Sequence, residues 1–256
     1  MIAGVGPGGP RFFGRSGARL YGCLHQAADP SPHHAVIAQP VLHEYMGSHR
    51  TLVQLATRLA LSNINAFRFD FYGVGDSAGE SGDGTLDRWQ QDVASASAEL
   101  SCEDGRASIV GLRLGATVAL LKQTRGDSPE VPSLVLWDPI VDGRAHLDEL
   151  QALHRERFGA GTDGEVLGFP LSSGLRDELA RLEVTRFGRP RARRVLVLRT
   201  SGSREGDLEA LAAHLREAGA TVDLHRIDTP PMWRDAGKTY VPRPALDDIV
   251  SWLKEA

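Results

Sequence analysis

The stretch that decides the fold is ASIVGLRLGA, residues 107–116. Its apolar first half predicts a buried strand over Ala107–Gly111, and its second half opens an Ala- and Leu-rich helix over Leu114–Gln123. Glycines at 111 and 115 flank the turn between them, since only small neighbours let a strand and a helix approach so closely. The central residue, Arg113, is therefore expected to have a strained backbone conformation.

Outward from this turn, short apolar runs rich in β-branched residues alternate with longer segments of helical period. This alternation predicts an α/β fold with a mostly parallel central sheet flanked by helices. The predicted strands are Arg19–His25, Ala35–Pro40, Asn65–Asp70, Ala107–Gly111, Ser133–Asp138, Arg194–Thr200 and Ala220–Asp228. The predicted helices are Thr51–Leu61, Leu86–Leu100, Leu114–Gln123, Asp207–Ala218 and Ala245–Lys254.

The connection from Pro139 to Pro190 is long for two strands that are expected to be near neighbours in the sheet. It contains two weaker helical patterns, His146–Arg157 and Leu175–Glu183, joined by a Gly-rich link. Because insertions of this size in a compact domain are usually functional, we expect a helical cap over the ends of the strands. The alternative is an insertion remote from any site. The whole chain, residues 1–256, is expected to form one domain.

The composition narrows the classes of partner. A net charge of −4 and a pI near 6.1 provide no electrostatic reason to expect nucleic acid or a membrane surface. No apolar run approaches the length of a membrane span and no secretory signal is visible, so a cytoplasmic location is expected. Cys23 and Cys102 lack zinc-ligand spacing, and neither a metal nor a cofactor is predicted. The expected partner is a small molecule, and the sequence indicates no oligomeric state.

Two further motifs lie upstream of the turn. Residues 67–77 read FRFDFYGVGDS, and residues 39–50 read QPVLHEYMGSHR. Together with residues 107–116, they resemble the α/β-hydrolase superfamily, in particular its serine-aminopeptidase-like branch. The resemblance covers the chain from about Arg19 to Leu253. It implies an α/β-hydrolase fold with a nucleophile elbow at residues 111–115 and an oxyanion loop at residues 39–50.

A finer resemblance is carried by residues 43–50, by residues 111–116 and by WDPIVDG at residues 137–143. These segments are similar to a bacterial subgroup of hydrolase-like proteins associated with exosortase systems. Several members of that subgroup share an arginine-centred elbow, which implies that Arg113 is a subgroup feature. The resemblance also implies a role in a bacterial biosynthetic pathway.

The three positions of a serine-hydrolase triad all depart from the family pattern. Arg113 stands at the nucleophile position, and a guanidinium does not deprotonate in proteins. The loop after the last strand, TPPMWRDAGK at residues 229–238, has no histidine, and His225 inside the strand is expected to be a packed or surface residue. The position of the acid, residues 200–205, offers a carboxylate only at Glu205. The triad is therefore degenerate, and whether the chain is an enzyme is left open.

Other polar side chains are expected to face the elbow. His43, Glu44 and His49 lie on the implied oxyanion loop, and Asp138 follows the strand before the insertion. A carboxylate–histidine pair such as Asp138 with His43 has the chemistry of a general acid–base. The alternative is that Asp138 braces a loop while His43 is held by backbone hydrogen bonds. The candidate catalytic residues are Arg113, His43, Glu44 and Asp138; the weaker candidates, as relocated nucleophiles, are Ser201, Ser203, Cys23 and Cys102.

The elbow keeps its electrostatic character without a serine. Backbone N–H groups at the start of the helix at Leu114 favour negative charge, and the Arg113 guanidinium suits a carboxylate or phosphate. Pairing of Arg113 with Glu44 or Asp138 inside the protein is the equal alternative. An anionic or acyl-bearing ligand is therefore expected under the cap. The candidate binding residues are Arg113, Leu114, Tyr45, Asp142, His146 and Trp233.

Two functions follow from these features. The first is an enzyme that acts through unconventional residues on an ester, thioester or amide. The second is a non-catalytic pseudo-hydrolase that binds an anionic ligand or serves as an accessory protein. A purely structural role has no positive sequence feature behind it. Asp70 and Asp76, in the segment before the elbow, are expected to shape a turn rather than to take part in either function.

Overall fold

The computed structural model describes residues 8–100, 106–159, 164–200, 206–233 and 240–255. The strands are β1 (Pro10–Phe13), β2 (Leu20–His25), β3 (His34–Ala38), β4 (Asn65–Phe69), β5 (Ser108–Leu112), β6 (Val131–Trp137), β7 (Glu165–Val166), β8 (Phe169–Pro170), β9 (Ala192–Thr200) and β10 (Val222–Ile227). The helices are α1 (His43–Leu61), α2 (Leu86–Leu100), α3 (Leu114–Thr124), α4 (Gly143–Phe158), α5 (Ser173–Ala180), α6 (Asp207–Glu217) and α7 (Arg243–Lys254). A single 3-10 turn covers Val184–Arg186.

Eight strands form one sheet in the order β1-β2-β4-β3-β5-β6-β9-β10. β1 and β2 run antiparallel to their neighbours, and the strands from β4 to β10 in this order pair in parallel. Every residue of β5 is buried, as its continuous apolar sequence predicts for a strand covered on both faces. The predicted fold class is confirmed. β1 was missed because its four residues, PRFF, are mostly exposed and begin with a proline.

Helices cover both faces of the sheet and create two apolar clusters. α1 and α7 pack on one face, where Leu52, Leu55 and Leu59 of α1 are buried. α2, α3 and α6 pack on the other face, where the apolar residues of the insertion also contribute. Within the described residues, no helix is both long and apolar enough to cross a membrane.

Helix α1 begins eight residues earlier than predicted, at His43 rather than at Thr51. The interpretation of residues 43–50 as part of an oxyanion loop is therefore wrong. The buried stripe of α1 continues to its first turn through Glu44 and Ser48, at the same helical spacing as the leucines. Because this half of the stripe is polar, a search for apolar periodicity ends at Thr51.

The insertion connects β6 to β9, which are adjacent parallel strands as predicted. Its two predicted helices form as α4 and α5, and a two-stranded hairpin, β7–β8, lies between them. Leu147 and Leu150 of α4 and Leu175 and Leu179 of α5 belong to the same buried cluster as α2 and α3. The hairpin was missed because each of its strands is only two residues long.

A hydrogen bond between α5 and α2 connects the insertion to the body of the domain. The Glu178 carboxylate of α5 accepts a 2.7 Å hydrogen bond from the backbone N–H of Leu86, the first residue of α2. A carboxylate at this place satisfies a free N–H group of the helix and interacts favourably with the helix dipole. α5 therefore caps a helix that lies 92 residues away in the sequence.

Replacing Glu178 with alanine is expected to lower the free energy of unfolding by about 1 kcal/mol, the usual effect of losing a helix N-cap. Urea denaturation followed by circular dichroism measures this change. Glu178→Gln is the matched control, because its amide oxygen still accepts the hydrogen bond and should recover most of the loss. An alanine variant as stable as the wild type would show that the contact does not stabilise the domain.

Candidate functional site

The elbow has the strained geometry that its glycines predict. Arg113 lies between β5 and α3 with φ of 54° and ψ of −124°, in the region that non-glycine residues rarely adopt. A Cβ at Gly111 would lie 2.3 Å from Ala116 Cα, and a Cβ at Gly115 would lie 2.4 Å from Ala38 O. Both positions therefore require glycine, and the turn presents the arginine where the fold otherwise carries a nucleophile.

The Arg113 side chain is engaged inside the protein. Its Nε donates to Glu44 Oε1 at 2.9 Å, and its Nη1 donates to the Asp138 backbone oxygen at 3.3 Å. The guanidinium carbon also lies 4.8 Å from the centre of the Trp233 ring, within cation–π distance. Arg113 is 6% exposed and Glu44 is 4% exposed, so this is a buried ion pair. Of the two alternatives for Arg113, the structure shows internal pairing with Glu44.

Opposing effects act on the Glu44 carboxyl. Burial raises its pKa above the ordinary value, while the charge and the hydrogen bond of Arg113 act in the opposite direction. A guanidinium does not release its proton, so a buried Arg113 requires a negative counter-charge. The Glu44 carboxylate, which accepts the hydrogen bond from Nε, provides this charge. The dipole of α1 also favours a negative charge in its first turn, where Glu44 lies.

Two histidines lie beside this pair. His43 is the first residue of α1, and His146 lies in the first turn of α4. The Nδ1 atom of each is buried and has no hydrogen-bond partner among the described residues. Burial, followed by the charges of Arg113 and Arg157, lowers the pKa of His43 to about 4. Burial, followed by Arg113 and His43, lowers the pKa of His146 well below its ordinary value, so both imidazoles are neutral at pH 7.

A cavity of about 430 Å³ opens between α1 and α4, next to the ion pair. This volume lies in the usual range for a small-molecule site. Its polar and apolar walls are formed by His43, Glu44, His146, Glu149, Leu150, Ala152, Leu153, Glu156, Arg157 and Trp233. A much smaller pocket, of about 40 Å³, borders Arg113, Asp142 and His146 near the N-terminal end of α4. In the described ranges, no three metal-ligating side chains come close enough to hold a metal ion.

Two of the predicted site residues accept hydrogen bonds from neighbouring segments of the fold, and a third is buried in the core. Both carboxylate oxygens of Asp138 accept hydrogen bonds from Thr200, one from its backbone N–H at 2.9 Å and one from its hydroxyl. Asp138 therefore braces β9, in line with the alternative that it braces a neighbouring segment, and its pairing with His43 as a general acid–base stays a prediction. Asp142 is the N-cap of α4, where it accepts from the N–H of Ala145. Leu114 is buried in the apolar core, so only its backbone faces the elbow turn.

Tyr45, predicted to contact a ligand, belongs to a separate polar cluster around Asp70. Its hydroxyl donates to Asp70 Oδ1 at 3.2 Å. Asp70 also accepts from the amide of Gln39 and from the backbone N–H of Asp76 at 2.9 Å. The predicted role of Asp70 in shaping a turn is confirmed. Because Tyr45 lies on a helix rather than a loop, its hydroxyl reaches Asp70, and its contact with a ligand stays a prediction.

The remaining candidates for a triad lie away from the elbow or outside the described residues. His225 Nδ1 lies 2.8 Å from Asp248 Oδ2, between the edge strand β10 and α7, as expected for a surface histidine. Cys23 is a free cysteine in β2. Ser201, Ser203, Glu205 and Cys102 lie outside the described residues.

Trp233 lies where the resemblance implies a catalytic histidine, in the loop after the last strand. It lies within cation–π distance of Arg113 and lines the cavity, and its contact with a ligand stays a prediction. A glycine on α1 makes room for this loop: a Cβ at Gly47 would lie 3.0 Å from Met232 O. The loop can therefore approach the helix that carries Glu44.

The apolar wall of the cavity was not predicted. Leu150, Leu153 and Arg157 all come from α4 and line the cavity together with His146. Their spacing of four, three and four residues places them along one face of the helix. This periodicity is present in the sequence, but a helical stripe of this kind can face either the core or a cavity. Only the position of α4 beside the elbow shows that this stripe faces the cavity.

A second cavity of similar volume, about 440 Å³, lies far from the elbow, between α2 and the end of α3. Its charged side chains pair with one another, as Arg88 does with Asp92 and as Lys122 and Arg125 do with Asp127. Among the described residues, no buried polar side-chain atom on its lining lacks a hydrogen-bond partner. The cavity beside Arg113 is therefore the candidate functional site.

Comparison with known proteins identifies the fold. No family model matches the sequence, and no curated protein matches it significantly. Solved structures match over nearly the whole chain. Est1E from Butyrivibrio proteoclasticus, with ferulic acid bound, is 16% identical with a TM-score of 0.68, covering 96% of each chain. The esterase Pf2001 from Pyrococcus furiosus is 15% identical with a TM-score of 0.66, covering 97% of this chain and 92% of that one.

Mouse alpha/beta hydrolase domain-containing protein 10 is similar over 96% of this chain and 97% of its own, at 15% identity and a TM-score of 0.60. The class defined by the sheet order, the elbow and these neighbours is the α/β-hydrolase fold. At such low identities the similarity concerns the fold alone, and the activity has to be argued from the site.

Proposed function

We propose that this chain is an α/β-hydrolase-fold protein that binds an acyl- or carboxylate-bearing small molecule without serine-hydrolase chemistry. In this proposal, the insertion is a cap over the site, and the cavity of about 430 Å³ between α1 and α4 receives the ligand. One observation carries the proposal: the residue at the elbow is an arginine that is held in a buried ion pair with Glu44 at the wall of the cavity.

The chemistry of the elbow supports binding rather than covalent catalysis. A nucleophile at this position needs a lone pair and a neighbouring base, and Arg113 supplies no lone pair. The side chain stacked on it is the indole of Trp233, which is a donor but not a base. The solved structures similar to this chain include esterases, which supports a ligand with an acyl group.

A second candidate function is an enzyme that acts on an ester, thioester or amide through His43, His146 or Glu44. It is favoured by the two buried Nδ1 atoms that lack a partner among the described residues. Two features weigh against it. A general base is most effective with a pKa near the working pH, and the pKa of His43 is about 4. Both carboxylate oxygens of Asp138 accept from Thr200, which reduces the capacity of Asp138 to orient an imidazole.

The resemblance to the exosortase-associated subgroup supports a ligand from a bacterial biosynthetic pathway. That subgroup combines the fold with an arginine-centred elbow, which agrees with the geometry of Arg113. Glu44 and Trp233 then line the binding site in place of a triad, and Arg113 contacts both of them through the ion pair and the cation–π contact.

Thermal-shift screening with medium-chain acyl compounds tests the binding proposal. We expect stabilisation of the wild type and its loss in Leu153→Trp, since Leu153 is a half-buried residue on the cavity wall. Leu61→Trp is the matched control, because Leu61 is an exposed residue at the end of α1. Equal shifts in all three proteins would place the ligand elsewhere and contradict the proposal.

A fluorophosphonate probe separates the two candidate functions. Because the elbow has no nucleophile, we expect no labelling of residues 111–115. Covalent labelling of a serine elsewhere would reveal a displaced nucleophile and overturn the non-catalytic proposal. Turnover of acyl substrates that is lost in His43→Ala, with no labelling, would favour the second candidate.

A further inference from the structure

We infer that Glu44 determines the ligand class of this site: it occupies the anion-binding position of Arg113, so the cavity takes uncharged acyl groups and excludes free carboxylates. The favoured ligands are then esters, thioesters, amides or the corresponding alcohols. This inference rests on the proposed binding function and narrows it.

The contacts of Arg113 resemble those of an arginine with its ligand already bound. A ligand carboxylate would approach the guanidinium in its plane and accept from its N–H groups. Glu44 Oε1 occupies such a place, 2.9 Å from Nε, and the Asp138 carbonyl accepts from Nη1. Trp233 stacks on the face of the guanidinium. A ligand carboxylate that took the place at Nε would have to displace the Glu44 carboxylate.

The charges around the cavity disfavour an additional anion. Its walls carry the carboxylates of Glu44, Glu149 and Glu156, against the guanidinium of Arg157 and the adjacent guanidinium of Arg113. With both imidazoles neutral, the described residues around the cavity place three carboxylates against two guanidiniums. A buried carboxylate next to like charges is driven to take up a proton, so an ionised ligand would be penalised here.

The polar groups that face the cavity suit a neutral ligand. The Nδ1 atoms of His43 and His146 are buried without partners among the described residues, and an unsatisfied buried polar atom destabilises a protein. His146 is only 7% exposed and borders both the cavity and the small pocket beside Arg113. A neutral imidazole offers one donor and one acceptor, which match a carbonyl, an amide or a hydroxyl. Leu150, Leu153 and Trp233 provide the apolar wall for the acyl chain.

Isothermal titration with hexanamide and hexanoate tests the inference, since the two ligands share a chain and differ in charge. At pH 7.5 we expect the wild type to bind hexanamide at least about tenfold more tightly than hexanoate, because a carboxylate would meet Glu44. Glu44→Gln should raise the hexanoate affinity by about tenfold or more, because Arg113 then lacks an internal counter-charge. The readout is the ratio of the hexanamide affinity to the hexanoate affinity in each protein.

Glu217→Gln is the matched control, since it makes the same change of charge at an exposed residue at the end of α6. It should leave the ratio of the two affinities unchanged. Wild-type protein that binds hexanoate as tightly as hexanamide would overturn the inference, whether or not Glu44→Gln folds. A Glu44→Gln protein with a native circular dichroism spectrum and no gain in hexanoate binding would overturn it as well.

The titration also separates the inference from the proposed function. If the wild type binds both ligands equally, with both lost in Leu153→Trp, the proposed function stands and the inference fails. If the wild type binds neither ligand while Glu44→Gln binds hexanoate, the assignment of Glu44 stands and the proposed acyl-binding function of the wild type fails. Binding of neither ligand by either protein contradicts both.

Discussion

Replacing Glu44 with leucine is expected to lower the free energy of unfolding by about 3–5 kcal/mol, since it leaves the Arg113 guanidinium buried without its counter-ion. The guanidinium cannot avoid this penalty by losing its proton. Urea denaturation at pH 7.5 measures the change. Glu44→Gln should lose less, because its amide oxygen still accepts from Nε. A leucine variant within about 1 kcal/mol of the wild type would contradict a buried charge pair at the elbow.

The complementary change, Arg113→Met, is expected to be less damaging and to depend on pH. Without Arg113, burial and the like charges of Glu149 and Asp138 act on Glu44 unopposed, so the pKa of its carboxyl in the folded state rises further above its value in the unfolded chain. A raised folded-state pKa means that stability is present at low pH and is lost as the pH rises through that pKa. We therefore expect the deficit of Arg113→Met, measured by urea denaturation, to be small at pH 5 and larger at pH 8. An equal deficit at both pH values would contradict this account.

The double variant Glu44→Leu, Arg113→Met isolates the interaction between the two side chains. It removes both charges, so its stability should recover most of the loss seen in Glu44→Leu. Additive losses in the double variant would show that the two groups do not interact. Buried ion pairs often stabilise a fold no more than apolar residues of similar size do. A double variant as stable as the wild type would therefore indicate that the ion pair contributes to the site rather than to the stability of the domain.

Replacing Gly115 with alanine is expected to lower the free energy of unfolding by about 3 kcal/mol or more, as in severe overpacking. The new Cβ would lie 2.4 Å from each of two backbone oxygens, those of Ala38 and Gln39, and neither oxygen belongs to a flexible side chain. Thermal and urea denaturation measure the loss.

The matched control is Gly174→Ala in α5, where an added Cβ meets no atom within 4 Å. There, alanine should be neutral or should stabilise the protein by about 0.5–1 kcal/mol, because it reduces the entropy of the unfolded chain. Equal stability of the two alanine variants would show that the elbow tolerates a wider approach of β5 and α3 than the structure indicates.

The strands and helices around the elbow were predictable because their signals are local. β5, α2 and α3 follow from apolar runs and helical periods of the sequence, and the positions of Gly111 and Gly115 follow from the steric demands of a single turn. α1 shows the limit of this approach. Its N-terminal half buries Glu44 and Ser48 instead of leucines, so the helix was placed eight residues too late, and the contact of Tyr45 with Asp70 was not predicted.

By itself, the sequence determined that the chain forms a mostly parallel α/β sheet, that its elbow carries Arg113 instead of a nucleophile, and that no histidine follows the last strand. These properties are set by neighbouring residues or by residue identity. The tertiary structure decided which of the possible partners Arg113 takes. Glu44 lies 69 positions away in the chain, and the imidazole of His146 and the indole of Trp233 reach the same place from two other elements. Contacts between such distant residues depend on how α1 and α4 pack over the sheet, which no local pattern specifies.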